Sequence, residues 1–262
     1  HVGWGERLRM EALAMDGAVL DKEYERFGYR IYRLHPALQP GESRELRFRT
    51  TLEERGFSDG SSLGGLQQTA VGRPLTRVVD NGSFLDNAEI SPSIGFSRQG
   101  LLTDRAKRRK YGLPPDLRPP TLEDESGRAR NEFRADSDWV TADITVTTDA
   151  DQTPIAPGAV VSDTTVNGRR TVQFKADAPI AHFFSIQSAR YDVRRDKLGD
   201  IELAVYFHPG HEYNVDRMLK VMKASLALFG EQFSPYQFKQ ARIVEFPSYA
   251  TFAQSFANTI PY

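Results

Sequence analysis

Ile201-Glu202-Leu203-Ala204-Val205-Tyr206-Phe207-His208-Pro209-Gly210-His211-Glu212-Tyr213-Asn214-Val215 is the stretch on which the fold turns. Ile201 to Phe207 reads as a strand, and Pro209-Gly210 breaks it. Beyond Asn214 the period changes. Val215, Met218, Leu219, Met222, Leu226 and Phe229 recur on one face of a helix. Asn214 is the expected N-cap and Gly230 the expected C′ residue. At about 1.5 Å per residue, such a helix is ~22 Å long. Ser234-Pro235 predicts a second short helical turn, with Pro at its first position. Ala241 to Phe246 returns to strand. The chain therefore passes from a β region into the opening of an α/β unit.

Upstream, strands dominate. Trp139 to Val146 places Val140, Ala142, Ile144 and Val146 in alternation with Thr141, Asp143 and Thr145. That is the period of a half-buried strand. Ala156-Pro157-Gly158 predicts a turn. Asn167-Gly168 predicts a hairpin between Thr164–Val166 and Arg170–Phe174. Phe183 to Val193 is a further expected strand. Turn signals every 8–12 residues favour an antiparallel sandwich. In the first part, Glu6–Met15, Tyr24–Leu34 and Leu46–Thr51 read as strands, with a turn at Leu38–Glu42. Asn81-Gly82 is another hairpin signal. Ser58 to Thr69 is Gly- and Ser-rich, and the whole stretch 58–77 is expected to be a loop. Asp104 to Tyr111 predicts a short basic helix capped by Thr103 or Asp104 and stopped by Gly112 and Pro114. Leu113 to Arg134 is rich in proline and charge and reads as an extended surface segment.

Composition narrows the function. The chain has 262 residues, 39% of them hydrophobic and 26% charged, with a formal net charge of −1. A near-neutral balance does not draw a chain to nucleic acid or to an anionic membrane. Cysteine is absent, which removes disulfides, a thiol nucleophile and thiolate metal sites. No apolar run is long enough to span a bilayer as a helix. The start, His1-Val2-Gly3-Trp4-Gly5, has no initiator Met and no secretion signal, and the chain stops at Ile260-Pro261-Tyr262. Both ends read as cut from something longer.

The densest group of potential metal ligands is His208-Pro209-Gly210-His211-Glu212. A zincin helix needs a second His four residues after the first, with Glu beside the first. His211-Glu212 is followed by Tyr213, Asn214 and Val215, so this segment reads as the turn between a strand and a helix. No Gly-x-Ser-x-Gly elbow occurs. Asp149-Ala150-Asp151 reads as a solvated turn. The basic run Arg105 to Lys110 lacks interleaved aromatics that could stack bases. No catalytic residue and no metal ligand is assigned.

From Trp139 to Tyr262 the chain resembles the aminopeptidase N family of zinc metallopeptidases, closest to bacterial members fused to an ABC-transporter permease. The residues that carry this are Trp139–Asp143, Ile155–Gly158, Gly168–Thr171, Pro179–Ser185, His211–Asn214, Phe233–Phe238, Val244–Pro247 and Phe252–Phe256. The first half resembles it through Pro40–Glu42 and Asn81–Phe84.

The resemblance implies a fold. Residues 1–209 would be a saddle-like antiparallel β-sandwich domain, and residues 210–262 the first helix and strand of a truncated, thermolysin-like α/β catalytic domain. It also implies a function: a non-catalytic front part of a membrane-associated zinc peptidase, walling a peptide cleft. Zinc would belong to the parent, whose HExxH helix and downstream Glu are not in this chain.

The family's Gly-x-Met-Glu-Asn segment, whose Glu holds the substrate's amine, would place that Glu near Ser255, and no Glu lies between Phe246 and Tyr262. Phe252 to Phe256 is nevertheless expected to form an edge strand. Gln254, Ser255 and Phe256 are the expected substrate-binding residues. The expected partners are the rest of the catalytic domain and a peptide. The parent would sit in a bacterial cell membrane, with this region outside the cytoplasm. Two other readings remain open: a stand-alone extracytoplasmic β module that binds a protein or peptide, and a pseudo-peptidase scaffold.

Overall fold

The structure is a computed structural model that describes residues 1–5, 8–53, 78–95, 101–118, 121, 123–128, 136–247 and 253–262. The fold is mostly β, with several antiparallel sheets and, among the described residues, one long helix. The expected loop at 58–77 lies outside the described residues. The chain forms two compact units, His1–Glu53 with Ala88–Asp138, and Glu54–Asn87 with Trp139–Tyr262.

The first unit holds an antiparallel sheet of Ala18–Tyr24, Tyr29–Leu34, Val2–Gly3 and Ser93–Ile94, in that order. Leu8–Met15 pairs with Leu46–Leu52. The expected strand Tyr24–Leu34 is two pieces. A short 3-10 turn, Glu25–Phe27, and Gly28 at φ 54° reverse the chain, so that Tyr24 pairs with Tyr29. The alternation of Phe27, Tyr29 and Ile31 runs straight through this turn, which is why the sequence hides it. The basic helix forms at Arg105–Lys110, and the Asp104 carboxylate accepts from the Lys107 amide at 2.7 Å, as a capping Asp should. The described part of 113–134 is not extended throughout, because Glu125–Arg128 makes a single helical turn.

In the second unit, β1 (Gly82–Asp86), β2 (Asp143–Asp149), β3 (Thr153–Ile155), β4 (Ala159–Val166), β5 (Arg169–Lys175), β6 (Ser185–Ala189), β7 (Asp192–Leu198) and β8 (Ile201–Phe207) precede the helix α1 (Val215–Gln232). After it come β9 (Gln240–Val244) and β10 (Thr259–Pro261). β2, β5 and β4 form one antiparallel sheet. Asn167 and Gly168, at φ 51° and 75°, make the tight turn between β4 and β5. Val172 and Phe174 of β5 are buried with Ala156, against Ile144, Val146 and Ile186. β3, β6 and β1 lie side by side in a second sheet. The expected strand Trp139–Val146 is interrupted: Trp139–Val140 pairs with Ile180–Ala181, and only Asp143 onward joins β5.

The third sheet has the order β7-β8-β9-β10. β7 and β8 are an antiparallel hairpin, while β8–β9 and β9–β10 are parallel. Helix α1 connects β8 to β9, as a parallel pair requires. Leu203, Val205 and Phe207 face Val215, Leu219 and Met222 of α1. Ala204 and Tyr206 face Ile155 and Val244 on the other side. Both faces of β8 are thus covered, which explains its unbroken apolar run. β8 before residue 209 and β9 after it belong to this one sheet.

Three local expectations change. Asn214 makes no side-chain cap, and a 3-10 turn at Glu212–Asn214 leads into the helix instead. Helix α1 runs through Gly230 to Gln232, and Phe229 is exposed rather than packed on the apolar face. Ser234-Pro235 is a non-helical connection, and the short helix expected there does not form.

Arg170 of β5 holds Asp163 of β4 by two bonds, Nε to Oδ1 at 3.0 Å and Nη2 to Oδ2 at 2.6 Å. The hydrogen bond from Arg170 keeps the Asp163 carboxyl below the usual carboxylate range. A depressed folded pKa stabilises above the unfolded value and loses that stabilisation as pH falls through the folded one. The unfolding midpoint should therefore fall on acidification below about pH 4. In Arg170→Met the part of that fall due to Asp163 should vanish. Thermal melts of both proteins between pH 2 and 6 check this; parallel curves would count against the pair.

Candidate functional site

Parallel strands place ligand-binding groups beyond their carboxyl ends. In the third sheet those ends carry His208 after β8 and Glu245 after β9. Glu245 ties the two strands and the start of α1 together. Its Oε2 accepts from the His208 amide at 2.7 Å, and its Oε1 lies 2.6 Å from His211 Nδ1. Its own amide donates to Tyr206 O at 2.9 Å. The Tyr191 hydroxyl donates to the Glu245 carbonyl at 2.7 Å, and the Tyr191 ring stacks on His208 with centroids 5.1 Å apart. Burial, with Glu245 nearby, pushes the Tyr191 phenol well up, so it remains a donor.

The His208 ring is held on both sides. Nε2 is 2.9 Å from the Phe246 carbonyl, which can only accept, so Nε2 carries a proton. The Asn81 amide nitrogen lies 3.1 Å from Nδ1 and 3.2 Å from Nε2, and it also donates to Pro247 O at 3.2 Å. Asn81 is the hairpin residue before β1. The segment His208–His211 is a turn, closed by His211 N–H donating to His208 O at 3.0 Å, with Gly210 at φ 90°.

These residues do not fit a zinc ion. Among the described residues no group of three or more His, Asp and Glu is arranged to hold a metal. The His208 ring nitrogens face Asn81 and Phe246, and His211 Nδ1 faces Glu245.

The expected substrate-binding residues lie next to β10, the last strand of the sheet. The edge strand expected at Phe252–Phe256 is displaced along the chain. Residue 252 lies outside the described residues, 253–255 are irregular, and the strand is Thr259–Pro261. Phe256 and Thr259 bond to each other across a turn whose Asn258 adopts φ 49°.

The structure separates the three expected residues. Ser255 is exposed and Gln254 half-buried, with the Gln254 amide donating to Pro261 O at 3.2 Å. Phe256 is buried. Its ring lies 4.8 Å from that of Phe183 and 6.4 Å from that of Phe84, and Phe84 meets Phe246 edge-on at 4.9 Å. Phe252 and Phe256 look alike in sequence, and nothing in their spacing marks which belongs to a core.

Sequence reasoning missed Arg242. It sits in β9 between Ala241 and Ile243, is 5% exposed, and sends Nη2 to three acceptors: Ala156 O at 2.8 Å, Asn258 Oδ1 at 2.7 Å and Thr259 Oγ1 at 3.0 Å. Burial lowers its pKa to about 10. A charge inside a short apolar strand was the available signal. Tyr262, at the end of β10, is pushed up to about 12 by burial and then by Glu245 and Tyr213.

The chain's fold matches solved structures of M1 zinc metallopeptidases. One, a two-domain enzyme in mutant form bound to L-tryptophan, aligns with 99% of this chain and 51% of its own, at a TM-score of 0.60 and 17% identity. The M1 zinc metallopeptidase from Deinococcus radiodurans aligns with 97% of this chain and 50% of its own, at 0.54 and 16%. A mutant of the Deinococcus radiodurans enzyme bound to a Tyr-Ser-Ala substrate aligns with 99% and 51%, at 0.53 and 16%. The chain thus spans about half the length of these structures. No family model and no curated protein matches the sequence. At this identity the likeness is one of fold: a mostly β chain built like half of an M1 metallopeptidase.

Proposed function

We propose that the chain is the non-catalytic N-terminal part of a zinc aminopeptidase-like protein, and that its edge strand β10, with Gln254 and Ser255, walls the peptide cleft. The observation that carries this is the position of β10. It pairs with β9 on one side, while residues 254–256 bond to its Thr259 and Pro261 on the other, so the segment carrying Gln254 and the exposed Ser255 forms the rim of the sheet, where a peptide could lie. The fold likeness over half of a peptidase chain supports the class.

In this reading residues 1–209 are the saddle-like β domain, and residues 210–262 open the catalytic domain. The remaining half of that domain covers the outer side of α1, where Val221, Leu228, Phe229 and Phe233 are exposed. Zinc belongs to that other half. The parent sits in a bacterial cell membrane beside an ABC-transporter permease, with this region outside the cytoplasm; the sequence resemblance alone supports that part. Among the described residues no helix is long and apolar enough to cross a membrane.

The purified chain should hold no stoichiometric zinc and release no product from aminoacyl amides. The tripeptide Tyr-Ser-Ala at millimolar concentration should shift backbone amide resonances of residues 254–262. Tight one-to-one zinc, robust turnover, or peptide shifts confined to other strands would each defeat the proposal.

A further inference from the structure

Arg242 is costly where it stands. A guanidinium is charged at any ordinary pH, and burial of an unpaired charge is strongly unfavourable. Its three acceptors, on Ala156, Asn258 and Thr259, carry no full negative charge, and all three converge on one nitrogen, Nη2. Nε is sealed from solvent and has no partner, and so is Asn258 Nδ2. Leucine or methionine would fill the same space without that cost. What the arginine gains is geometric. It sits opposite Thr259 in the β9–β10 register, and its fork reaches both residues that set the turn into β10, Asn258 and Thr259. It also reaches back to Ala156, in the buried turn between β3 and β4. One side chain thus fixes the end strand of the sheet to a second sheet behind it.

We infer that Arg242 is a positioning residue for the edge strand: it fixes the register of β10 on β9 and the placement of the 254–258 turn that presents Gln254 and Ser255. The value of that placement for peptide binding rests on the function proposed above, but the placement itself does not.

Hydrogen exchange on the full chain reads it directly. The amides that depend on this docking are Arg242 N–H to Asn258 O at 3.0 Å, Tyr262 N–H to Val244 O at 2.9 Å and Phe246 N–H to Tyr262 O at 2.9 Å. In Arg242→Met these amides should exchange about tenfold faster or more, while amides of β8 and α1 keep their rates, the sign of local release rather than global loss. The melting temperature should hold or rise, since an apolar replacement removes the buried charge. Asn258→Asp is the converse variant. It sets a carboxylate on the guanidinium, at a left-handed position that Asp tolerates, and should slow the same amides.

Unchanged exchange at 242, 246 and 262 in Arg242→Met, or a rise matched by β8 and α1, would overturn the inference. So would faster exchange in Asn258→Asp, which also decides the matter if Arg242→Met does not fold. Peptide shifts in the wild-type chain judge the proposed function separately, because the exchange pattern is read without peptide.

Discussion

Gly158→Ala is expected to destabilise the second unit by about 3–5 kcal/mol, combining backbone strain with overpacking. Gly158 adopts φ +100°, where an L side chain is strained whatever the space around it. Space is also lacking. A Cβ there would stand 2.2 Å from the carbonyl carbon and oxygen of Lys175 and 2.4 Å from the amide nitrogen of Ala176. These are backbone atoms of the strand that pairs with the next residue, since Ala159 lies opposite Lys175. They cannot swing aside as a side chain can. Nor can the turn move, because Ala156 is fully buried and its carbonyl receives Arg242.

Gly168→Ala provides the comparison. Gly168 is also left-handed, at φ +75°, but an added Cβ meets nothing within 4 Å. That substitution should cost only about 1–2 kcal/mol, the strain alone. Urea unfolding of the two variants separates the contributions. Equal losses would show that the close approach to Lys175 is relieved by a backbone shift.

The turn at 156–158 also shows how much of the fold was legible. Ala156-Pro157-Gly158 and Asn167-Gly168 declare their turns, because only glycine or asparagine fits such backbone angles at little cost. The change of period after residue 209 announced α1, since a helix that packs one face must repeat its apolar residues. Sheet membership was not legible. Nothing local in Ile201–Phe207 says that it pairs antiparallel with β7 and parallel with β9, since that partner arrives only after an 18-residue helix. Gly230 does not end the helix because a glycine within a helix costs only about 1 kcal/mol, and the helix continues past it to Gln232.

The site was less legible than the fold. Asn81 could be read as a turn residue, but its amide bond to His208, 127 positions away, could not. The same holds for Glu245, which lies within the expected strand Ala241–Phe246 and is the group that joins His208, His211 and Tyr206. Long-range polar contacts leave no periodic trace. They need the coordinates of both partners, and sequence pattern supplies neither.

Phe256→Ala is expected to cost about 3–5 kcal/mol of stability, the range for an aromatic removed from a core. Gln254→Ala with Ser255→Ala should change it by no more than about 0.5 kcal/mol, as surface substitutions do. The contrast follows from where the structure puts three neighbours that the sequence grouped together. Phe256 packs among Phe84, Phe183 and Phe246, bringing residues from β1, the approach to β6 and the end of β9 into one cluster. Its loss leaves a cavity bounded by three rings that cannot all relax into it, so contact energy is forfeited as well as burial. Ser255 faces outward, and Gln254 bonds through its backbone amide, which alanine retains.

If the edge of the sheet binds a peptide, the two variants should also separate in binding. The Gln254/Ser255 pair should lose Tyr-Ser-Ala shifts while its melting temperature stays in place. Phe256→Ala should lose melting temperature first, with any change in binding following from that. Chemical denaturation and amide shift titration on the same samples check both halves. A Phe256→Ala protein as stable as the wild type would mean that its ring is not part of the core, and the residue would return to the cleft where sequence reasoning first put it.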